Sequence, residues 1–410
     1  MDQINIEMAE NDELLYENII EMRRQRLSWS DIARDLNWPL HKLSYFRYKH
    51  DIQDVFVTID DEEVWRYIQL FQNQNLRWGD GMLLGALKSV TLDDESKLYV
   101  PRSQLRRVLH KYDSIGVNIR KTKAVFRVKY SNQGLNYSWH LDGWHKLIDY
   151  KIVVHGCIDG FSRKIIFLKA STNNKATTVF SIFFNKVREL SEIPSLISVD
   201  GGGENVLVAD YMIYQLGSDA LKIVSSVHNQ RIERLWRDST EKAMIDYMNL
   251  FADLRNEEIV NIEVNEQLWL IHFLFLDLIN QSLERFLQSW NYHSLRTENF
   301  HLSPNQIEFF AKRDYNMFVP PDNINILDTG TLLDDYDNFD DNNNIPLVNV
   351  SRIQNPFNDH NDFIQFVEQV NLITTEDMRT GNIEIVKDKW IAAFVLMMQI
   401  INNNDINDND

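Results

Sequence analysis

Between residues 137 and 248 the hydrophobic pattern changes period in a fixed order, and that order restricts the chain to a sheet flanked by helices. Residues 152–158 form a β-rich run, Asp159-Gly160-Phe161-Ser162 is turn chemistry, and 164–169 is a second β-rich run, so the three make a hairpin. Residues 137–142 supply a strand before it. After it, Val179, Phe180, Phe183, Phe184 and Val187 recur at helical spacing over 176–190. Pro194 separates that helix from a short apolar strand at 196–199, and 205–216 reads as a helix, 221–224 as a strand and 229–248 as a long helix. Three strands, helix, strand, helix, strand, helix describe an α/β unit, a mixed sheet of five strands with helices on its faces.

Three carboxylates fall at positions where such a sheet brings distant side chains together: Asp142 in the first strand, Asp200 at the carboxyl end of the fourth, and Glu233 in the first turns of the last helix. Gathered carboxylates repel one another, and a divalent cation offsets the repulsion. Hard oxygen ligands with water and phosphate suit magnesium. Two such ions about 3.5–4 Å apart activate an attacking oxygen and stabilise the leaving one in displacement at phosphorus.

The blocks Trp139-His140-Leu141-Asp142-Gly143, Ile158-Asp159-Gly160-Phe161-Ser162-Arg163, Asp200-Gly201-Gly202-Gly203-Glu204-Asn205 and the run 228–236 resemble the integrase core of retroviral and transposon DDE recombinases. Among these they are most similar to transposon-derived integrase-core proteins of eukaryotes, and a weaker likeness extends over about 30–304. The resemblance implies an RNase H-like integrase core preceded by helix-turn-helix regions. It matches Asp142, Asp200 and Glu233 to the catalytic, metal-holding triad, with Mg2+ or Mn2+ as cofactor, although the Asp200 to Glu233 interval is shorter than in retroviral integrases. The implied activity is transfer of DNA strands in integration or transposition, on double-stranded DNA, by a homo-oligomer in the nucleus and without a covalent enzyme intermediate. Two other readings stay open: a domesticated DNA-binding protein without catalysis, and an RNase H-like nuclease acting on hybrids.

Neighbouring polar residues have simpler roles. Asp159 sits in turn text, Glu204 starts a helix, and Asn229 is placed to cap the helix that carries Glu233. Arg231 and Arg234 flank Glu233 and are candidate phosphate contacts, or merely solvated. The single cysteine, Cys157, excludes an intrachain disulfide and a cysteine-rich zinc finger, and lies in an apolar strand. The first eleven residues are acidic and polar, so no secretory signal is read there, and the longest apolar runs are too short or interrupted to span a bilayer. An intracellular, reducing compartment is expected.

A formal charge of −18 looks adverse to DNA binding until it is divided. From Asp314 onward 18 acidic residues face 4 basic ones, which leaves −4 on the preceding 313 residues. Residues 97–130 hold Lys97, Arg102, Arg106, Arg107, Lys111, Arg120, Lys121, Lys123, Arg127 and Lys129 against Asp113 alone, a stripe suited to phosphates.

The division into regions follows. Residues 1–56 read as three helices in a helix-turn-helix pattern, with Ser30 as a cap, Asn37-Trp38-Pro39 as the break, and Lys42 and Arg47 on the third helix facing a major groove. Residues 57–133 give a second helical, basic region with helices near 64–71, 82–87 and 102–110. Residues 134–312 are the core with its carboxyl-terminal helices, including an apolar helix over 268–290. Residues 313–410 read as an acidic, Asn- and Asp-rich tail, largely flexible, in which 363–370 and 383–401 have helical potential.

Overall fold

The computed structural model describes residues 2–52, 54, 56–72, 78–92, 97–112, 132–224, 229–295, 301–314, 353–357, 359–379 and 382–407. Three helices begin it: α1 (Asp2–Arg24), α2 (Trp29–Asp35) and α3 (Leu40–Lys49). They bury Ile19, Met22, Ile32, Leu43 and Phe46 as a small core of their own. Ser28, not Ser30, caps α2, its hydroxyl accepting from the Asp31 amide at 3.1 Å. Asn37 turns the chain with φ of 52°, a conformation asparagine tolerates, and Pro39 then precedes α3.

A parallel pair, β1 (Phe56–Thr58) and β2 (Lys97–Tyr99), ties together α4 (Asp61–Gln72), α5 (Asp80–Ser89) and α6 (Arg102–Tyr112). The pair was not legible in the sequence, because each strand is only three residues long. The middle of α5, Met82 to Leu87, is buried, and a Cβ at Gly85 would lie 2.2 Å from the Ser289 carbonyl oxygen. The second helical region is therefore sealed against the main core.

The main sheet contains β3 (Ser138–Leu147), β4 (Ile152–Asp159), β5 (Ile165–Ser171), β6 (Leu196–Val199) and β7 (Leu221–Ile223), in the order β5-β4-β3-β6-β7. β3, β4 and β5 are antiparallel, and β6 and β7 run parallel to β3, the mixed five-stranded sheet expected. β3 continues well past residue 142, with a register shift between Trp144 and Leu147, so Asp142 lies inside the strand, opposite Gly156. Every residue of β4 is buried. Its hairpin to β5 is built on Asp159, whose fully buried carboxylate accepts from the amides of Asn136, Phe161 and Ser162 and from the Ser162 hydroxyl at 2.6–3.0 Å. That is the structural turn role expected of it.

Alternation along β3 sends its side chains to two different layers. Trp139 and Leu141 join α7 (Ala176–Leu190) and α8 (Val206–Leu216) on one face. Trp144 belongs to the other layer, with α9 (Gln230–Ser239), a π-helical turn (Thr240–Met244), α10 (Ile245–Asn256) and α11 (Asn265–Tyr292).

At 28 residues α11 is about 42 Å long and straps the β5 edge. Asn291 accepts from the Ile165 amide at 2.8 Å and donates to the Ile165 carbonyl at 3.0 Å, and Asn280 does the same to Ala170 at 2.9 and 3.2 Å. Eleven helical residues and five strand residues both span about 16.5 Å, so two amides three turns apart meet the same edge.

α12 (Pro304–Arg313) packs Phe309 and Phe310 against the amino-terminal bundle, and Arg313 pairs with Asp35 there. The region read from sequence as a largely flexible tail contains α13 (His360–Gln369), α14 (Thr375–Arg379) and α15 (Ile383–Asn407). Phe357, Phe363 and Phe366 surround Trp269 and Phe273 of α11, while Lys387 pairs with Glu257 at 2.6 Å. Apolar side chains in these helices outweigh the acidic average of the segment. Among the described residues no helix is long and apolar enough to cross a membrane.

Asn291→Ala leaves a buried N–H and C=O of β5 without partners and is expected to cost about 3 kcal/mol, with a smaller loss for Asn280→Ala at the less buried position. Urea denaturation measures both; equal stability of the wild type and Asn291→Ala would refute the strap.

Candidate active site

Three even-numbered residues of β3 are tied to α9 or to the residues that flank it. His140 Nδ1 lies 2.5 Å from Asn229 Oδ1, the Trp236 indole N–H donates to Asp142 Oδ2 at 2.7 Å, and the Trp144 indole donates to Thr240 Oγ1 at 2.8 Å. Glu233 stands between these anchors in the first turn of α9, its amide bonded to the Asn229 carbonyl at 3.1 Å. Asn229 thus starts the helix through its backbone, while its side chain is turned to His140. Burial pushes the His140 imidazole down to about 4, so this pair is neutral.

Asp200 leaves the end of β6 and turns back on itself: its Oδ1 accepts from the Gly202 amide at 3.2 Å and from Asn205 Nδ2 at 2.9 Å. The Glu204 carboxylate folds back over Gly202, 2.5 Å from where a Cβ would stand, so a larger residue there would displace that side chain. Glu204 is only 6 % exposed, and burial followed by the charge of Asp200 raises its carboxyl above the usual range.

The three acids singled out in the sequence come from three separate elements. Burial pushes the Asp142 carboxyl up to about 7, and the charges of Asp200 and Glu233 add to the shift against the pull of the Trp236 indole. Asp142 and Glu233 also line one groove of about 780 Å³, together with Trp144, His145, Arg237 and Glu241.

Among the described residues no His, Cys, Asp and Glu cluster of three or more is drawn tight enough to hold a metal ion. The donor set nevertheless fits a hard divalent cation. Every hydrogen-bond donor found on Asp142 and Asp200 is neutral, and no lysine or arginine forms an ion pair with Asp142, Asp200 or Glu233 among the described residues. Carboxylates elsewhere are treated differently: Asp238 pairs with Arg234 and Lys242, and Glu308 with Lys164 and Lys312.

The basic residues selected from the sequence separate into groups. Lys42 is exposed with its ammonium 4.0 Å from the Trp38 ring centroid, whereas Arg47 is half-buried and stacked on Trp29 at 3.6 Å, inside the bundle. On α6, Arg106 pairs with Asp80 at 2.9 Å and Arg107 with Asp61 at 2.7 Å, while Arg102 is half-buried at the helix start. These ion pairs are exposed and weak, so a phosphate can compete for the arginines. Arg234 is held by Asp238 at 2.7 Å, and half-buried Arg231 acts electrostatically on His140 near the site. Arg120, Lys121 and Lys123 lie outside the described residues.

Two contributors were missed. Trp236 was only part of a motif, because a tryptophan at helical spacing reads as core. His145 lines the groove with a buried Nε2 that has no hydrogen-bond partner among the described residues, and nothing in the local sequence distinguishes it.

Residues 125–316 match the family described as the integrase core domain. The match covers just under half of the chain, and the family it names is one concerned with DNA integration and polynucleotidyl transfer. No curated protein matches the chain. Similar solved structures include the human T-lymphotropic virus 2 integrase catalytic core domain in complex with magnesium, in trimeric form, at 17% identity over 42% of this chain and 95% of that one, TM-score 0.25. Another is the simian T-cell lymphotropic virus intasome in complex with the PP2A regulatory subunit B56 gamma, at 13% identity over 62% of this chain and 73% of that one, TM-score 0.32.

Glu204→Gln removes a buried carboxyl that has no ion pair among the described residues, beside Asp200, and is expected to stabilise the metal-free protein by about 1 kcal/mol. Chemical denaturation at neutral pH checks this; destabilisation would mean that the Glu204 charge is compensated.

Proposed function

We propose that this protein is a metal-dependent polynucleotidyl transferase that cuts and joins strands of double-stranded DNA, with Asp142, Asp200 and Glu233 as its catalytic residues. The observation that supports the reading is that Asp142 of β3 and Glu233 of α9 line one groove, with Asp200 from the end of β6 acting electrostatically on Asp142, and that no lysine or arginine pairs with any of the three among the described residues.

In this reading the three carboxylates hold Mg2+, or Mn2+ in its place. Bound there, the ions supply a deprotonated oxygen nucleophile and stabilise the leaving oxygen. The chain itself provides orientation. β3 and α9 fix Asp142 and Glu233 relative to each other, and the Gly202 and Asn205 donors turn the Asp200 carboxylate. Arg231 and Arg237, near and on the groove, are suited to phosphate oxygens. The helix-turn-helix face with Lys42 and the α6 arginines extend the DNA contact away from the site, and DNA strand transfer goes with a nuclear location and a homo-oligomer on DNA.

The test is nicking and joining of labelled duplex DNA carrying the ends that flank the gene, in magnesium and in manganese. Asp142→Asn, Asp200→Asn and Glu233→Gln are each expected to abolish both activities while folding and DNA affinity persist. A wild-type protein that binds duplex DNA but never cuts it would be a retained DNA-binding descendant, and one that cuts only RNA–DNA hybrids an RNase H-like nuclease.

A further inference from the structure

Trp236 makes two contacts that belong to one device. Its indole N–H donates to Asp142 Oδ2 at 2.7 Å, and its six-membered ring lies over Gly156, the residue opposite Asp142 in the β3–β4 ladder. A Cβ at Gly156 would come within 2.5 Å of Trp236 Cη2 and 2.9 Å of Leu168 Cδ2. The middle of a fully buried strand is an unfavourable place for glycine, which there weakens the sheet. Its presence is accounted for by the space the indole takes. Trp236 itself is 7 % exposed, its ring against Gly156 and Leu168 and its N–H on Asp142.

The helix that carries the indole also carries Glu233, one turn earlier. His140 with Asn229 and Trp144 with Thr240 anchor the same helix on either side, from the same face of β3. The Trp144 anchor falls where the helix widens into its π turn, and Trp78 donates to the Lys242 carbonyl within that turn at 2.6 Å. π turns are rare and occur often beside functional sites. Strand and helix are therefore indexed residue by residue, and the separation of Asp142 from Glu233 is set by neutral hydrogen bonds.

We infer that Trp236 is a positioning residue: its indole N–H holds one oxygen of Asp142 so that the carboxylate is presented to a divalent cation in a single orientation, and Gly156 is the cradle that admits the ring. The inference rests on the functional reading above for its cation, but the contact itself is testable without catalysis.

Two changes at different places should give one result. Trp236→Phe keeps an aromatic ring over Gly156 and deletes the donor; Gly156→Ala keeps the donor and displaces the ring. In the full-length chain, each is expected to raise the Kd for Mn2+, measured calorimetrically, by about 10- to 100-fold. Each should lower kcat for duplex nicking with little change in KM. The smaller phenyl ring fits beside alanine, so the double variant is expected to be no worse than Trp236→Phe alone, a coupling that independent packing defects do not produce. Phe286→Leu, which thins the core on α11 away from Asp142, should lower stability and leave the Mn2+ Kd unchanged. The Trp236 indole N–H resonance, identified by its loss in Trp236→Phe, should move upfield in Asp142→Ala.

An unchanged Mn2+ Kd in both Trp236→Phe and Gly156→Ala, with the wild type binding Mn2+, overturns the proposal and leaves the functional reading standing. A wild type that binds no Mn2+ sinks the metal-dependent reading, and the indole resonance then decides the positioning role: moved by Asp142→Ala it supports the contact, unmoved it overturns it.

Discussion

Like charges held partly out of water are the constraint on which the arrangement of this domain depends. Asp142 is already pushed to about 7 by burial and by its two acidic neighbours, so the fold has to resist their separation. A lysine or arginine inserted among them would relieve the repulsion and, on the proposed reading, weaken the hold on a dication. The chain uses neutral donors instead: an indole, an asparagine amide and a backbone N–H. These orient lone pairs without cancelling charge, and the surrounding elements supply the rigidity that ion pairs would otherwise give.

That rigidity comes from both layers of the sheet. β4 is buried throughout, its turn is fixed by the four donors on Asp159, and α11 clamps β5 through two asparagines. α5 presses on α11 at Gly85, and the carboxyl-terminal helices close on Trp269 and Phe273. The site is thus supported by segments from nearly the whole length of the chain. Its acids lie in the middle of β3, just past the end of β6 and in one first helical turn, which are places that such packing holds still.

Much of this was legible in the sequence, for identifiable reasons. The switch from period two to helical period fixed the order of elements, and the clustering of Asp142, Asp200 and Glu233 in four ordered blocks singled out the acids. Whatever depends on chain-distant pairing was not legible. Arg106 and Arg107 look like free cations until Asp80 and Asp61 are placed beside them, and Arg47 looks like a groove contact until Trp29 is found under it. Trp236 carries no local mark that separates a bonded indole from a buried one. After residue 313 helical potential was legible at 363–370 and 383–401, but the docking of those helices on Trp269 and Phe273 was not, because composition has no phase.

The asparagine clamp also makes the two rims of the sheet unequal. At β5 the amides of α11 occupy the hydrogen-bonding groups of Ile165 and Ala170, so a foreign strand finds part of that rim already taken. At the other rim β7 pairs only with β6 among the described residues, and Ile223 is 67% exposed. A sheet open on one side cannot be extended indefinitely. Two β7 rims joined to each other leave only the strapped β5 rims outside, which favours a closed twofold pair over a fibre in any association by strand pairing.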